Sequence, residues 1–224
     1  MALADRDPRN TDWQRDLSVS FNKLGDMAGH EGDLAAARKA YEDGLAIAKA
    51  LADRDPRNAD WQRDLSVRFN KLGDVAGHEG DLPAARKAYE DGLAIRKALA
   101  DRDPRNTDWQ RDLSISYDRL GDVAGREGDL PAARKAYEDG LAIRKALADR
   151  DPRNADCQRD LSLSYESLGD VAENANDIPS AIRRYEESLP IVERLATMAP
   201  TDAGFQNDLR ITRGRLDGLR QRLG

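Results

Sequence analysis

The chain has 224 residues, of which 35% are charged and 39% hydrophobic, and carries a formal net charge of −6. That balance suits a thin helical array in which every helix keeps a wet side. The acidic excess excludes a general nucleic-acid binder, which needs a basic footprint, and disfavours docking on an anionic membrane. The single cysteine, Cys157, rules out an intramolecular disulfide. No apolar run reaches membrane-spanning length, and the first residues carry no apolar leader, so a cytoplasmic protein is expected. Arg outnumbers Lys, as the coding bias of a GC-rich bacterial genome would give.

Residues 2–10 match the tail of the second helix of a repeat, so the chain starts in the middle of the repeat logic, as a piece of a longer array would. The stretch Trp-Gln-Arg-Asp-Leu-Ser then begins at Trp13, Trp61 and Trp109, and a fourth copy begins at Cys157, each 48 residues after the last. Self-similarity at a fixed period marks a solenoid. The repeats run over about 2–49, 50–97, 98–145 and 146–193, within one domain spanning 1–224. Leu195, Pro200, Phe205, Asp208, Leu209 and Leu216 continue the phase into half a further repeat. This predicts a C-terminal capping helix over about 202–222, whose polar outer side keeps the end soluble.

Within the first repeat, Trp13, Leu17, Phe21, Leu24 and Ala28 form one helical stripe. Asn10 is placed to cap it, as are Asn58, Asn106 and Asn154 in the later copies. Pro8 blocks continuation of anything before it. Gly32, Gly80 and Gly128 can take the left-handed conformation that ends a helix, and Asn176 is the next most tolerant residue at that place. Asp33 is the N-cap of a second helix with the stripe Leu34, Ala37, Tyr41, Leu45, Ala48 and Leu51. Pro83, Pro131 and Pro179 fall in first turns, where a missing N–H costs little. Pro190 lies deep in the last long helix and predicts a kink near Glu186. Gly25, Ala37 and Gly44 predict closely pressed antiparallel helices.

Phe21, Leu24, Gly25, Ala28, Gly32, Ala37, Tyr41 and Gly44 have the order and spacing of the tetratricopeptide signature, and the chain resembles that family along essentially its whole length. The departures are a period of 48 rather than the usual 34, Lys49 where a Pro usually closes the second helix, Gly44 for Ala, and Ala28 for an aromatic. The repeat is thus similar to long-helix variants such as those of kinesin light chains. The resemblance implies an all-α, right-handed superhelical solenoid of antiparallel helix pairs, with the first helix of each pair lining the concave side.

Nothing in the sequence reads as catalytic, metal-binding or cofactor-binding. His30 and His78 share one position of the repeat that Arg126 and Asn174 occupy elsewhere, so they read as solvated residues at helix ends. Cys157 stands where the other repeats have Trp and reads as a core filler. If the family's geometry holds, the concave row includes Asn22, Asp26, Asn70, Asp74, Asp118, Asp122, Glu166 and Asp170. An ionised Asp only accepts hydrogen bonds, so this row favours peptide N–H groups and Arg or Lys side chains. Asp26 could equally pair with Lys23 on its own helix. The expected function is a protein-interaction scaffold holding an extended or helical basic peptide, with neither nucleic acid nor membrane as partner. The competing expectation is a structural spacer, a monomer or a weak head-to-tail assembly that stacks through its N-terminal end.

Overall fold

Local chemistry sets the ends of every helix. In the computed structural model, which describes residue 7 and residues 10–223, helix α1 is Thr11–His30 and α2 is Leu34–Arg54. They are followed by α3 (Ala59–Glu79), α4 (Leu82–Arg102), α5 (Thr107–Arg126), α6 (Leu130–Arg150), α7 (Ala155–Asn174), α8 (Ile178–Met198) and α9 (Ala203–Leu223). The Asn10 side-chain oxygen accepts from the Trp13 N–H at 3.1 Å, and Asn58, Asn106 and Asn154 make the same bond to Trp61, Trp109 and Cys157. Each bond satisfies an N–H that the first turn leaves without an intrahelical acceptor. Asp33, Asp81, Asp129 and Asp177 cap the second helices in the same way.

Between the two helices of a pair the chain turns through Gly32, Gly80 and Gly128 at φ of 81°, 83° and 80°, and through Asn176 at 57°. Glycine has no Cβ to clash there, and Asn is the side chain that best tolerates the same region. Pro8 and residues 1–6 lie outside the described residues. Helix α8 runs without interruption from Ile178 to Met198, with Pro190 inside it. The proline is exposed, on a side where water can take the Glu186 carbonyl that it leaves unbonded.

Contacts group the chain into two compact units, Met1–Trp109 and Gln110–Gly224. The first holds α1 to α4, and the second holds α6 to α9 with nearly all of α5. Partners in a pair run antiparallel: Gly25, late in α1, faces Tyr41 early in α2, while the earlier Ser18 carbonyl faces the later Gly44. A Cβ on Gly25, Gly73, Gly121 or Gly169 would come closer than 3.0 Å to the ring of Tyr41, Tyr89, Tyr137 or Tyr185. The recurring glycine is therefore a seat for a tyrosine ring, which offsets the roughly 1 kcal/mol a mid-helix glycine costs.

In the first unit Ala37 and Tyr41 of α2 share a buried cluster with Val75 of α3, and Ala48 and Ala52 share another with Leu65. In the second, Tyr137 of α6 is buried with Leu168 and Val171 of α7, and Tyr185 of α8 with Leu216 and Leu219 of α9. Within each unit a second helix thus packs on its own first helix and on the next one, as in an all-α solenoid. Helix α9 supplies the apolar cover for α8 while its opposite side stays arginine-rich.

The recurring Trp-Gln-Arg-Asp-Leu-Ser stretch is the stitch between repeats. Its Gln donates to the end of the preceding helix, from Gln62 to the Ala52 carbonyl and from Gln158 to the Ala148 carbonyl. Its Arg pairs with the Asp of the next copy, as Arg15 does with Asp64 at 2.6 Å and Arg111 with Asp160 at 2.7 Å. Arg159 makes the same pair with Asp208 of α9 at 2.7 Å. Its Leu and Ser enter the core as Leu65 and Ser66, Leu113 and Ser114, and Leu161 and Ser162.

Candidate functional site

The eight residues expected on the binding face divide into two rows. The outer row is Asp26, Asp74, Asp122 and Asp170. Each accepts a hydrogen bond from the tyrosine 15 residues later, on the second helix of its own pair: Tyr41 at 2.7 Å, Tyr89 at 2.7 Å, Tyr137 at 2.6 Å and Tyr185 at 2.5 Å. Asp122 and Asp170 are exposed, and Asp26 and Asp74 are partly so. Burial and the bond to Asp26 push the Tyr41 phenol well above its ordinary range, so the hydroxyl stays a donor; Tyr137 and Tyr185 are raised for the same reasons. The tyrosine thereby fixes the carboxylate and uses only one of its several acceptor positions.

Asp26 does not pair with Lys23 in its own helix. Its cation is Lys71, 45 residues on in α3, with Nζ 2.7 Å from Oδ1 and 6.0 Å from the centre of the Tyr41 ring. Burial raises the Asp26 carboxyl, but the bonds from Lys71 and Tyr41 outweigh it and hold the group below the usual carboxylate range. Asp170 has the corresponding cation in Arg215 of α9, again 45 residues on, at 3.8 Å. These partners were hidden in the sequence, although the constant spacings of 15 and 45 residues were there to be counted.

The inner row, Asn22, Asn70, Asp118 and Glu166, is turned into the fold. With its amide oriented to satisfy both groups, the buried Asn70 carbonyl accepts from both terminal nitrogens of Arg96, at 2.8 and 3.1 Å. Asp118 pairs with Arg144, and burial still pushes its carboxyl up to about 6 because the attraction of Arg144 only partly offsets desolvation. Glu166 accepts from Ser188 at 2.9 Å and from Thr212 at 2.7 Å, and its carboxyl is raised by burial. The Asn22 oxygen is buried with no hydrogen-bond partner among the described residues. Asn70 is buried, while Asn22, Asp118 and Glu166 are half-buried, and the bonds of Asn70, Asp118 and Glu166 tie together neighbouring helices.

The first three pairs each bury a guanidinium, and it comes from two different places. In the second and third pairs it belongs to the second helix, where Arg96 donates to Ser66 at 3.2 Å and Arg144 to Ser114 at 3.3 Å. In the first pair the corresponding residue is Ala48, and Arg68 of α3 reaches back instead to donate to Ser18 at 3.2 Å. Arg68 is 3% exposed, and burial lowers its pKa.

In the first unit a cleft of about 300 Å³ lies beside the outer row, lined by Asp26, His30, Tyr41, Lys71, Asp74 and His78 among others. His30 and His78 are exposed at the ends of α1 and α3, and His78 Nδ1 lies 2.7 Å from the Asp74 carbonyl. Cys157 is half-buried, and burial raises its thiol pKa, which disfavours the nucleophilic thiolate. Among the described residues no group of three or more His, Cys, Asp or Glu is placed to hold a metal ion, and no helix is long and apolar enough to cross a membrane.

No protein-family model matches the chain, and no curated protein matches it. Among solved structures it is similar to BtubC (BKLC) from P. vanneervenii, with a TM-score of 0.64 at 18% identity, over 99% of this chain and 85% of that one. At that identity the likeness is one of fold: the two chains share a helical-repeat architecture.

Proposed function

We propose that this chain is a protein-interaction scaffold that holds a basic peptide segment, extended or helical, against the outer aspartates of its first helices. One observation carries the reading. A carboxylate recurs once per repeat on the solvent side, fixed each time by a buried tyrosine. Pre-orientation of that kind lowers the ordering cost of binding. The net charge of −6 favours a cationic partner. The helical-repeat fold shared with BtubC supports a scaffold.

The test replaces Asp26, Asp74, Asp122 and Asp170 together by Asn, which keeps an acceptor for each tyrosine and removes only charge. Peptide arrays spanning basic, neutral and acidic sequences should show selective retention of basic peptides by the natural chain. That retention should weaken with salt and disappear in the variant. Equal retention by both proteins at matched helicity would remove the aspartates from the binding surface.

A second reading, head-to-tail self-association, has one observation in its favour. Leu24 and Met27 of α1 are 53% and 60% exposed, whereas Leu72 and Val75 at the same positions of α3 pack in the core. Sedimentation equilibrium decides it: mass rising with concentration, and reversed by Leu24→Glu with Met27→Glu, supports stacking, and a strict monomer removes it.

A further inference from the structure

The position that supplies a cation to the outer aspartates is occupied in successive repeats by Lys71, Arg119, Ser167 and Arg215. Lys71 sits on Asp26 and Arg215 approaches Asp170. For Asp122 the residue 45 positions on is Ser167, which has neither the charge nor the reach, and among the described residues no cation pairs with Asp122. The Tyr137 ring is in place, held against Gly121, and its hydroxyl is bonded to Asp122. The carboxylates around that hydroxyl are Asp122, Asp118 and Asp170, whereas the equivalent Tyr185 also feels Arg215.

We infer that Asp122, with Tyr137 behind it, is an open seat for a lysine or arginine side chain of a protein partner. The inference rests on the scaffold reading and names the point on the second unit where a partner's cation docks. The same chain shows twice what fills such a site, in one case an ammonium 2.7 Å from the carboxylate and near the tyrosine ring. An arriving guanidinium or ammonium meets a carboxylate that is already oriented and surrounded by negative charge. At Asp26 Lys71 already occupies the equivalent position, so the same ligand is held there more weakly.

The experiment uses the full chain and a defined probe, N-acetyl-arginine methylamide, with the neutral citrulline analogue as control, followed by residue-resolved NMR. In the natural protein the arginine probe should give saturable shifts at Gly121, Asp122 and Tyr137 and little change at Gly25, Asp26 and Tyr41. The citrulline probe should move neither group. Ser167→Lys should weaken the response at Asp122 about fivefold, the scale of a partly exposed ion pair. Lys71→Ser should create a new response at Asp26 and Tyr41. Asp122→Asn, which keeps the tyrosine's acceptor, is the second way to remove the site should Ser167→Lys fold poorly. Equal responses at Asp26 and Asp122 in the natural protein, no response at either, or a response at Asp122 that survives these variants, each overturns the inference. A basic peptide that loses affinity in the four-aspartate variant yet binds Ser167→Lys unchanged overturns the seat and leaves the scaffold reading standing.

Discussion

Asp118→Asn tests the balance of forces beneath the candidate surface. The Asp118 carboxyl is pushed up to about 6 by burial, against an ordinary value near 3.8, even though Arg144 pairs with it. For an acid raised in this way the folded state binds more protons than the unfolded state between about pH 4 and 6. Stability is therefore highest below about pH 4 and falls as pH rises through about 6. A displacement of that size corresponds to roughly 3 kcal/mol, as an upper figure for a carboxyl in a strongly interacting pair. Asn cannot ionise, and the second repeat already runs with Asn70 on Arg96 in this place. Asp118→Asn is therefore expected to match the natural protein near pH 4 and to exceed it by up to about 3 kcal/mol at pH 7. Urea unfolding from pH 4 to 8 measures it, with a constant slope on denaturant showing that cooperativity is unchanged. Parallel curves for the two proteins, or a variant weaker at pH 7, would refute the reasoning. The attraction between Asp118 and Arg144 would then exceed the cost of burying them.

Other expectations follow from packing. Gly73→Ala should destabilise by about 1–3 kcal/mol, because its Cβ would lie under 3.0 Å from the Tyr89 ring. Gly214→Ala, with nothing within 4 Å, should stabilise α9 by up to about 1 kcal/mol, and thermal unfolding of the two variants should move in opposite directions. Arg68→Ser should cost about 2–4 kcal/mol by emptying a buried, hydrogen-bonded site. Adding Ala48→Arg should restore most of that loss by supplying the guanidinium from the position used in the second and third pairs, and additive losses in the double variant would contradict the exchange. Tyr185→Phe should cost about 1–3 kcal/mol through the lost bond to the Asp170 carboxylate, read by chemical denaturation.

The sequence by itself determined the repeat period and the helix caps and reversals, the latter set by residues within about one helical turn of each other. The spacing of Trp13, Trp61 and Trp109 gave the period, Asn58 and Asp33 gave helix starts, and Gly80 and Asn176 gave the reversals. These are readable because caps and apolar stripes act over three or four positions, where separation along the chain is separation in space. Only the tertiary structure decided which residues of different helices meet. The Tyr41 bond to Asp26 spans 15 residues, the Lys71 pair spans 45, and the Arg68 bond to Ser18 spans 50. The family resemblance put Asn22, Asp26, Asn70 and Asp74, which lie one turn apart on their helices, on the same face. Which of them reach solvent depended on how the next helix was set against that face. Its register turned Asn70, Asp118 and Glu166 into the packing and left the aspartates at the rim. A side chain one turn away along a helix can be buried or exposed according to what a distant segment places over it, and that placement is set by the packing of whole helices rather than by any short stretch of sequence.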